Sequence, residues 1–166
     1  MNNFEKQNSF RLVLPAMSVN ESFSRMAVAA FSAQLDMTVE EMGDIKTVVS
    51  EAVTNCIVHA YKNEIGKIYI TCTVFEEGVI RVSVRDRGCG IPDVKKAREP
   101  LYTSVGGERS GLGFSVMESF SDRLRVRSVV GKGTTVKRCR SFIETNGHRR
   151  IIRTAIFHTG QDDAVI

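Results

Sequence analysis

Two stretches near the middle of the chain alternate between apolar and polar residues, which is the pattern of strands that bury one face. The first covers Ile68 to Val74, the second covers Ile80 to Val84, and Glu76 to Gly78 joins them as a turn. Because only one face of each strand is apolar, we expect an antiparallel sheet whose helices all lie on one side. A shorter alternation from Ser9 to Leu14, stopped by Pro15, predicts an edge strand.

Apolar residues at helical spacing predict a first helix between the edge strand and this hairpin. It runs from about Val19 to Leu35, and Ser18 or Asn20 is available to cap its first turn.

A second, longer helix is predicted by a capping pair and an apolar stripe. Thr38 and Glu41 have the three-residue spacing of a capping box, and the apolar positions recur at helical intervals as far as about Tyr61.

The remaining third of the predicted domain reads as loop, helix and two strands. A helix from about Leu112 to Ser121 precedes a strand from Arg123 to Val130, and Gly131 to Gly133 turns the chain into a last strand that begins at Thr134. Together these elements predict an α+β fold, a two-layer α/β sandwich with a mostly antiparallel sheet and helices on one face.

The composition of the chain argues against several classes of function. The 166 residues suit one domain, and the net charge of +4 comes mainly from the last thirty residues, so we do not expect direct nucleic-acid binding. Four cysteines without a paired spacing predict neither a zinc site nor a disulfide framework. The longest apolar run, Met26 to Phe31, is too short for a membrane helix, and we expect a protein of the cytoplasm.

Three polar residues on the second helix are candidates for chemistry. Glu51, Asn55 and His59 follow one another at intervals of four, which places them along one side, at the border of the apolar stripe. A carboxylate and an amide there would face a cleft beside the core, although the spacing taken alone favours an ordinary polar helix flank.

Two glycine-bearing segments strengthen the case for a ligand site. Asp86 stands at a strand end, and Gly88 and Gly90 after it allow the backbone to approach a flat ligand, while the carboxylate can accept a hydrogen bond from an adenine amine. Further on, the run from Ser110 to Phe114 opens a helix whose free amides suit phosphate oxygens, and Arg109 adds a charge.

The better known phosphate loops do not account for these glycines. Gly106 to Gly111 has the Walker A spacing, but Leu112 stands where the lysine is required. No dinucleotide-binding glycine pattern follows a strand either.

The order of these segments resembles the four ATP-binding boxes of the Bergerat fold, which the gyrase, histidine-kinase and Hsp90 (GHKL) superfamily shares. The boxes are Glu51 to Asn55, Asp86 to Gly90, Ser110 to Phe114 and Gly133 to Thr135.

Within that superfamily the chain is most similar to the anti-sigma F factors of spore-forming bacteria. The segments that carry this similarity are Asn20 to Arg25, Ala29 to Asp36, Asp44 to Asn55 and Glu108 to Phe114, and the resemblance extends over roughly residues 9–136. It implies an ATP-dependent protein serine/threonine kinase that binds a sporulation sigma factor and phosphorylates a serine of the antagonist, an anti-anti-sigma protein.

The resemblance also implies roles for single residues. Glu51 would orient or deprotonate the serine hydroxyl, and Asn55 would ligate Mg²⁺. Asp86 would bind adenine with support from Thr135, in a slot shaped by Gly88 and Gly90.

Further positions are implied at the phosphates and in a lid of about residues 98–110. Arg109 would neutralise charge during phosphoryl transfer. The other residues that would contact the nucleotide are Thr103, Ser104, Ser110, Gly111 and Gly113.

The first helix and the lid would form the partner surface. Glu21, Arg25 and Glu108 match positions that would contact the sigma factor or its antagonist, and the family is homodimeric. A solvated helix charge also explains Arg25.

Two departures from the family stand out. The lid segment Thr103 to Gly107 lacks the lysine and proline that follow its hydroxyl residues in the family. The resemblance stops after Val136, so we divide the chain into an ATP-binding kinase and anti-sigma domain, 1–136, and a segment 137–166 that ends the last strand and continues as a basic tail. An extension or a reading-frame change near Lys137 would explain the second departure.

Two other function classes are open. A nucleotide-dependent sigma-binding module with little kinase turnover is supported by the missing lid lysine. A histidine-kinase catalytic domain would need a phosphoacceptor histidine on a helical hairpin, and residues 1–40 contain no histidine. The larger ATPases of the superfamily need a transducer domain for which this chain has no room.

Overall fold

A computed structural model describes residues 5–76, 78–99, 111–141, 143–145 and 148–150. Five strands form one antiparallel sheet in the order β1-β2-β3-β5-β4. Their bounds are β1 Lys6–Pro15, β2 Lys67–Phe75, β3 Val79–Arg85, β4 Arg123–Val129 and β5 Gly133–Ser141. A separate two-stranded ladder, which the sequence pattern did not predict, pairs β6 (Ile143–Thr145) with β7 (His148–Arg150).

The helices pack together on one face of the sheet. They are α1 Val19–Ser32, α2 Val39–Asn55, α3 Val94–Ala97 and α4 Gly113–Ser119. The core between the two layers combines one stripe of α2, including Ile45 and Val49, with alternate positions of the central strands, such as Ile70 and Val82. The predicted α+β class and the one-sided arrangement of helices are confirmed. The short α3 was missed, because four residues are too few to show a periodic pattern.

The two predicted helix starts have different outcomes. Thr38 and Glu41 form the expected capping box, with each side chain bonded to the other residue's backbone amide. At α1 the prediction is wrong, because the Ser18 side chain makes no capping bond and Ser18 itself has helical backbone angles. Asn20 instead donates its side-chain amide to the Pro15 carbonyl at 2.9 Å, which ties the start of α1 to the end of β1.

The second helix does not continue as an α-helix to Tyr61. It ends at Asn55, and the next turn, Cys56–Ala60, is π-helical. The α-helical spacing that aligned His59 with Glu51 and Asn55 therefore does not hold through this turn. The carbonyls of His59 and Ala60 instead face the loop after β3, where they accept hydrogen bonds from Sγ and the amide of one residue, Cys89, at 3.1 and 2.8 Å.

One core position of the last strand is occupied by a cation. Val136 and Arg138 both point toward the helices, and Arg138 is only 1% exposed. Its Nε and Nη2 donate to the Phe120 carbonyl at 3.3 and 3.1 Å, while Nη1 has no hydrogen-bond partner within the described part of the chain. Burial, and after it the charge of Arg140, lower the pKa of Arg138 to about 10. The strand thus continues into residues 137–141 with an apolar position filled by arginine.

Candidate functional site

The buried carboxylate of Asp86 lies at the centre of the site, at the end of β3. Asp86 is 4% exposed, and its Oδ1 accepts hydrogen bonds from the amides of Gly88 at 2.9 Å and Thr134 at 3.1 Å. The Cys56 thiol, 3.8 Å from Oδ2, contacts the other oxygen. Burial raises the pKa of the Cys56 thiol, and the Asp86 charge raises it further, so the sulfur keeps its proton and acts as a weak donor. The carboxylate is therefore held in one orientation from three sides.

The glycines around Asp86 let backbone pack against backbone. A Cβ atom on Gly88 would stand 2.0 Å from the Ala60 carbonyl oxygen, and one on Gly90 would stand 2.3 Å from the carbonyl oxygen of Val129. Both distances are far inside van der Waals contact. The loop after β3 consequently lies directly on the π-helical turn and on the end of β4.

Glu51 and Asn55 lie against the glycine that begins α4. A Cβ atom on Gly113 would be 2.8 Å from Oε2 of Glu51 and 3.8 Å from both side-chain atoms of the Asn55 amide. The sequence placed these residues in separate segments, and the structure brings them together.

The carboxyl group of Glu51 is partly desolvated. Burial raises its pKa above the ordinary value, and the charge of Glu21 on α1 adds to the shift. A carboxylate with a raised pKa is a stronger base, which is the property that general-base chemistry uses.

The structure brings Thr134, and not Thr135, to the site. Besides the amide bond to Asp86, the Thr134 hydroxyl lies 2.9 Å from Oγ of Ser128, which accepts the Ile91 amide at 2.7 Å. Thr135 is paired with Arg85 across the ladder and projects to the opposite face of the sheet. The sequence pattern led us to expect Thr135 beside the adenine, but a one-residue difference along a strand reverses the side-chain direction, and it is Thr134 that faces the helices. The apolar residue Val136 indicates the core-facing side of this strand. Thr134, two positions before it, shares that side, and Thr135 does not.

Several predicted site residues lie outside the described residues. These are Thr103, Ser104, Glu108, Arg109 and Ser110. Of the neighbouring glycines, Gly111 has a positive φ of 62° just before α4.

The predicted partner residues on α1 are connected to the site. Arg25 forms an ion pair with Glu21 at 3.7 Å, with the Arg25 side chain 40% exposed. Glu21 also accepts a hydrogen bond from the Ser50 hydroxyl, next to Glu51 on α2. Two large apolar side chains of α1 beside them, Phe23 and Met26, are about half exposed.

The fold and the site define a class. The model of the histidine kinase-like ATPase domain family matches residues 16–139. The chain has the ATP-binding fold of that class: an antiparallel sheet, helices on one face, and glycine turns around a buried carboxylate at a strand end.

Relatives of about 50% sequence identity identify a narrower family within this class. An anti-sigma F factor of Geobacillus stearothermophilus is 50% identical over 139 residues, which cover 83% of this chain and 95% of the relative. An anti-sigma F factor of Caldanaerobacter subterraneus subsp. tengcongensis is 53% identical over 134 residues, which cover 80% and 93%. The chain belongs to the anti-sigma F factor family.

Solved structures agree on the fold. The RsbU and RsbW domains of a Mycobacterium tuberculosis protein superpose with a TM-score of 0.59 at 20% identity, over 80% of this chain and 32% of that chain. A histidine kinase domain from Erythrobacter litoralis gives a TM-score of 0.51 at 23% identity, over 76% and 60%. Among the described residues, no helix is long and apolar enough to cross a membrane.

Proposed function

We propose that this protein binds a sporulation sigma factor and, with Mg-ATP, phosphorylates a serine of the anti-anti-sigma protein that antagonises it. One observation carries the proposal: Glu51 and Asn55 on α2 meet the glycine that begins α4, on the same side of the sheet as the fixed carboxylate of Asp86. These contacts support the proposal that a base, a metal ligand and an adenine acceptor surround one cleft.

The residues present suit an adenine nucleotide. Oδ1 of Asp86 is occupied by two backbone amides, so Oδ2 is the oxygen that can accept the exocyclic amine of adenine. Gly88 and Gly90 hold the loop beside Asp86 against the π-helical turn and the end of β4, an approach that side chains at these positions would prevent. Asn55 would hold Mg²⁺ through its amide oxygen, a ligand type that Mg²⁺ accepts. When bound, ATP would supply the phosphoryl group and Mg²⁺ would neutralise part of the phosphate charge.

Glu51 is the residue we assign as base. Its partly desolvated carboxylate would accept the proton of the substrate serine hydroxyl as the serine oxygen bonds to the γ-phosphorus and the bond to the β-phosphate breaks. We also assign Arg109 to charge neutralisation and Thr103, Ser104, Ser110, Gly111 and Gly113 to nucleotide contacts. Thr134 replaces Thr135 beside the adenine site.

The partner surface is assigned to Glu21, Arg25 and Glu108, in a homodimer. Arg25 is the best placed of the described pair, because its guanidinium is partly exposed while Glu21 is turned toward Ser50. An acidic group of a partner could displace Glu21 from the Arg25 ion pair, which as a partly exposed pair is worth under about 1 kcal/mol.

Phosphate transfer tests the proposal. Purified protein with Mg-ATP labelled at the γ-phosphate is mixed with an anti-anti-sigma protein, and the label on that protein is followed. We expect transfer by the unaltered chain, nucleotide binding without transfer by Glu51→Gln, and neither by Asp86→Asn. The exposed Glu64→Gln serves as a control and should behave like the unaltered chain.

The results of this experiment distinguish a kinase from a sigma-binding module. Transfer that survives Glu51→Gln removes Glu51 from the role of base. Nucleotide-dependent sigma binding without any transfer by the unaltered chain favours the binding module over the kinase.

A further inference from the structure

The sheet has an outer face, which we define as the face turned away from the helices. Along β1 to β5 its side chains alternate with the core positions, and among the described strand positions of this face none is Asp or Glu. Arginine and lysine are its most frequent residues. Seven cations of this face and of the loop after β3 are exposed: Lys6, Arg11, Lys67, Arg85, Arg87, Arg127 and Lys137.

The register places these cations in rows across the strands with hydroxyl groups between them. Arg85 of β3 and Arg127 of β4 both pair with Thr135, which lies between them on β5. In the neighbouring row, Ser83 pairs with Lys137. Adjacent strands are about 4.8 Å apart, so each hydroxyl lies within reach of a ligand that a flanking guanidinium binds.

A shallow groove of about 380 Å³ runs over this part of the face. Its lining includes Arg11, Arg85, Arg87 and Lys137. The guanidinium of Arg87 lies over the ring of Tyr69, 5.0 Å from the centroid, which fixes the cation at the edge of the groove.

This chemistry suits phosphate groups better than a protein surface. Guanidinium groups bind phosphate oxygens through paired hydrogen bonds, and hydroxyl groups supplement them. A protein interface needs a desolvated apolar centre, and the groove offers one exposed large apolar side chain, Val13. A second copy of this face would bring like charges together. Charge complementarity therefore selects a polyanion.

We propose that the outer face binds the sugar–phosphate backbone of nucleic acid without reading its base sequence. Base stacking is a minor part of such binding, because the ring of Tyr69 is already covered by Arg87. The sequence-level expectation of no nucleic-acid contact came from the near balance of charges along residues 1–136. A charge count along the chain gives no information about position in space, and the fold places the cations of five strands on one surface.

The face is separate from the nucleotide cleft. Arg85 and Asp86 are consecutive, yet Arg85 is exposed on the outer face and Asp86 is buried on the helix side. Nucleic-acid binding should therefore be unaffected by saturating Mg-ATP, and its failure would leave the proposed kinase activity untouched.

The test uses the full chain and fluorescein-labelled 20-nucleotide strands of random sequence, as DNA, RNA and duplex DNA. Fluorescence anisotropy between 50 and 200 mM salt gives the slope of log K against log salt. We expect dissociation constants of about 10⁻⁴ to 10⁻⁶ M near physiological salt and a steep salt dependence. Arg85→Gln with Arg127→Gln should weaken binding at least about tenfold and reduce the slope by about 2, one for each lost contact. Comparison of the three probes shows whether the 2′-hydroxyl contributes.

Two double variants with the same change in net charge serve as controls. Lys62→Gln with Lys95→Gln alters exposed cations away from the outer face, and Arg149→Gln with Arg150→Gln alters β7. Both should retain binding within about twofold, and all variants should keep the unaltered melting temperature to within a few degrees.

Several results would overturn the proposal. These are no binding at 50 mM salt, equal weakening by a control pair, or tighter binding to poly-glutamate or to vesicles of anionic lipid than to every nucleic acid tested.

Discussion

Asp86 and Thr134 are 48 residues apart in the chain, and a hydrogen bond of 3.1 Å joins the carboxylate of one to the backbone amide of the other. A second bond runs from the Asp86 amide to the Thr134 carbonyl at 2.9 Å. The carboxylate at the end of β3 is therefore positioned by the first residues of β5, and the site depends on the pairing of these two strands.

The two adjacent threonines provide a direct test of this arrangement. Thr134→Val removes the hydroxyl that contacts Ser128 and supports the loop at Ile91. The loss of one such bond is worth about 1 kcal/mol, so we expect ADP to bind several-fold to about tenfold more weakly by calorimetry. Thr135→Val alters the outer face and should leave ADP affinity within about twofold. Equal effects of the two changes would contradict the assignment of Thr134.

The raised pKa of Glu51 predicts a stability effect with a defined sign. Burial, and after it Glu21, make the folded state bind the Glu51 proton more tightly than the unfolded state does. The cost of ionising it is absent below the ordinary carboxyl pKa and is complete above the raised one, so this group makes stability fall as pH rises through that interval.

Glu51→Gln should accordingly melt at a higher temperature than the unaltered chain at pH 7.5. The difference should shrink as the pH falls below the ordinary carboxyl pKa, because Glu51 then becomes protonated in both the folded and the unfolded state. Differential scanning calorimetry across this range measures it, with Glu64→Gln as the control. A Glu51→Gln variant that is less stable at pH 7.5 would show that the carboxylate is favourably solvated or paired.

Alanine substitutions at Gly88 and Gly43 test two different roles of glycine, which are close backbone packing at the first and ordinary helix propensity at the second. Gly88→Ala would place a methyl group 2.0 Å from the carbonyl oxygen of Ala60, and we expect a loss of about 1–3 kcal/mol in unfolding free energy together with a loss of nucleotide binding. Gly43 lies in α2 with no atom within 4 Å of the added Cβ, so Gly43→Ala should stabilise the protein by about 1 kcal/mol. Urea denaturation compares the two. A neutral Gly88→Ala would show that the loop can move away from the π-helical turn.

The buried cation of β5 should cost stability. Arg138→Leu replaces a desolvated guanidinium at a core position with an apolar side chain, and replacing buried ionic groups in this way commonly gains about 1–4 kcal/mol. We expect a higher melting temperature.

Arg140→Leu is the matched comparison for that change. Arg140 pairs with Asp44 at 2.5 Å, and both side chains are mostly buried. Removing this cation leaves the Asp44 carboxylate without its ion pair, so the variant should be less stable than the unaltered chain. If Arg138→Leu is also destabilising, the two bonds to the Phe120 carbonyl outweigh the cost of burial.

The periodic pattern of the sequence was sufficient to predict the fold class and most elements. The alternation in β2 and β3 and the capping box at Thr38 depend on neighbours within a few residues, so local chemistry determines them. The family resemblance likewise followed from short segments in a fixed order. The end of α2 was not predictable in the same way, since its π-helical turn is bonded to Cys89, a residue on a different element.

The tertiary structure alone decided which side chains share a surface. Strand register selected Thr134 over Thr135 for the site and collected cations from five strands on the outer face. The packing of α4 on α2 brought Gly113 against Glu51. Each of these depends on pairing between segments that are far apart in the chain. A hydrophobic pattern specifies which face of each strand is buried, and the surface that the exposed faces build together exists only once the strands have paired.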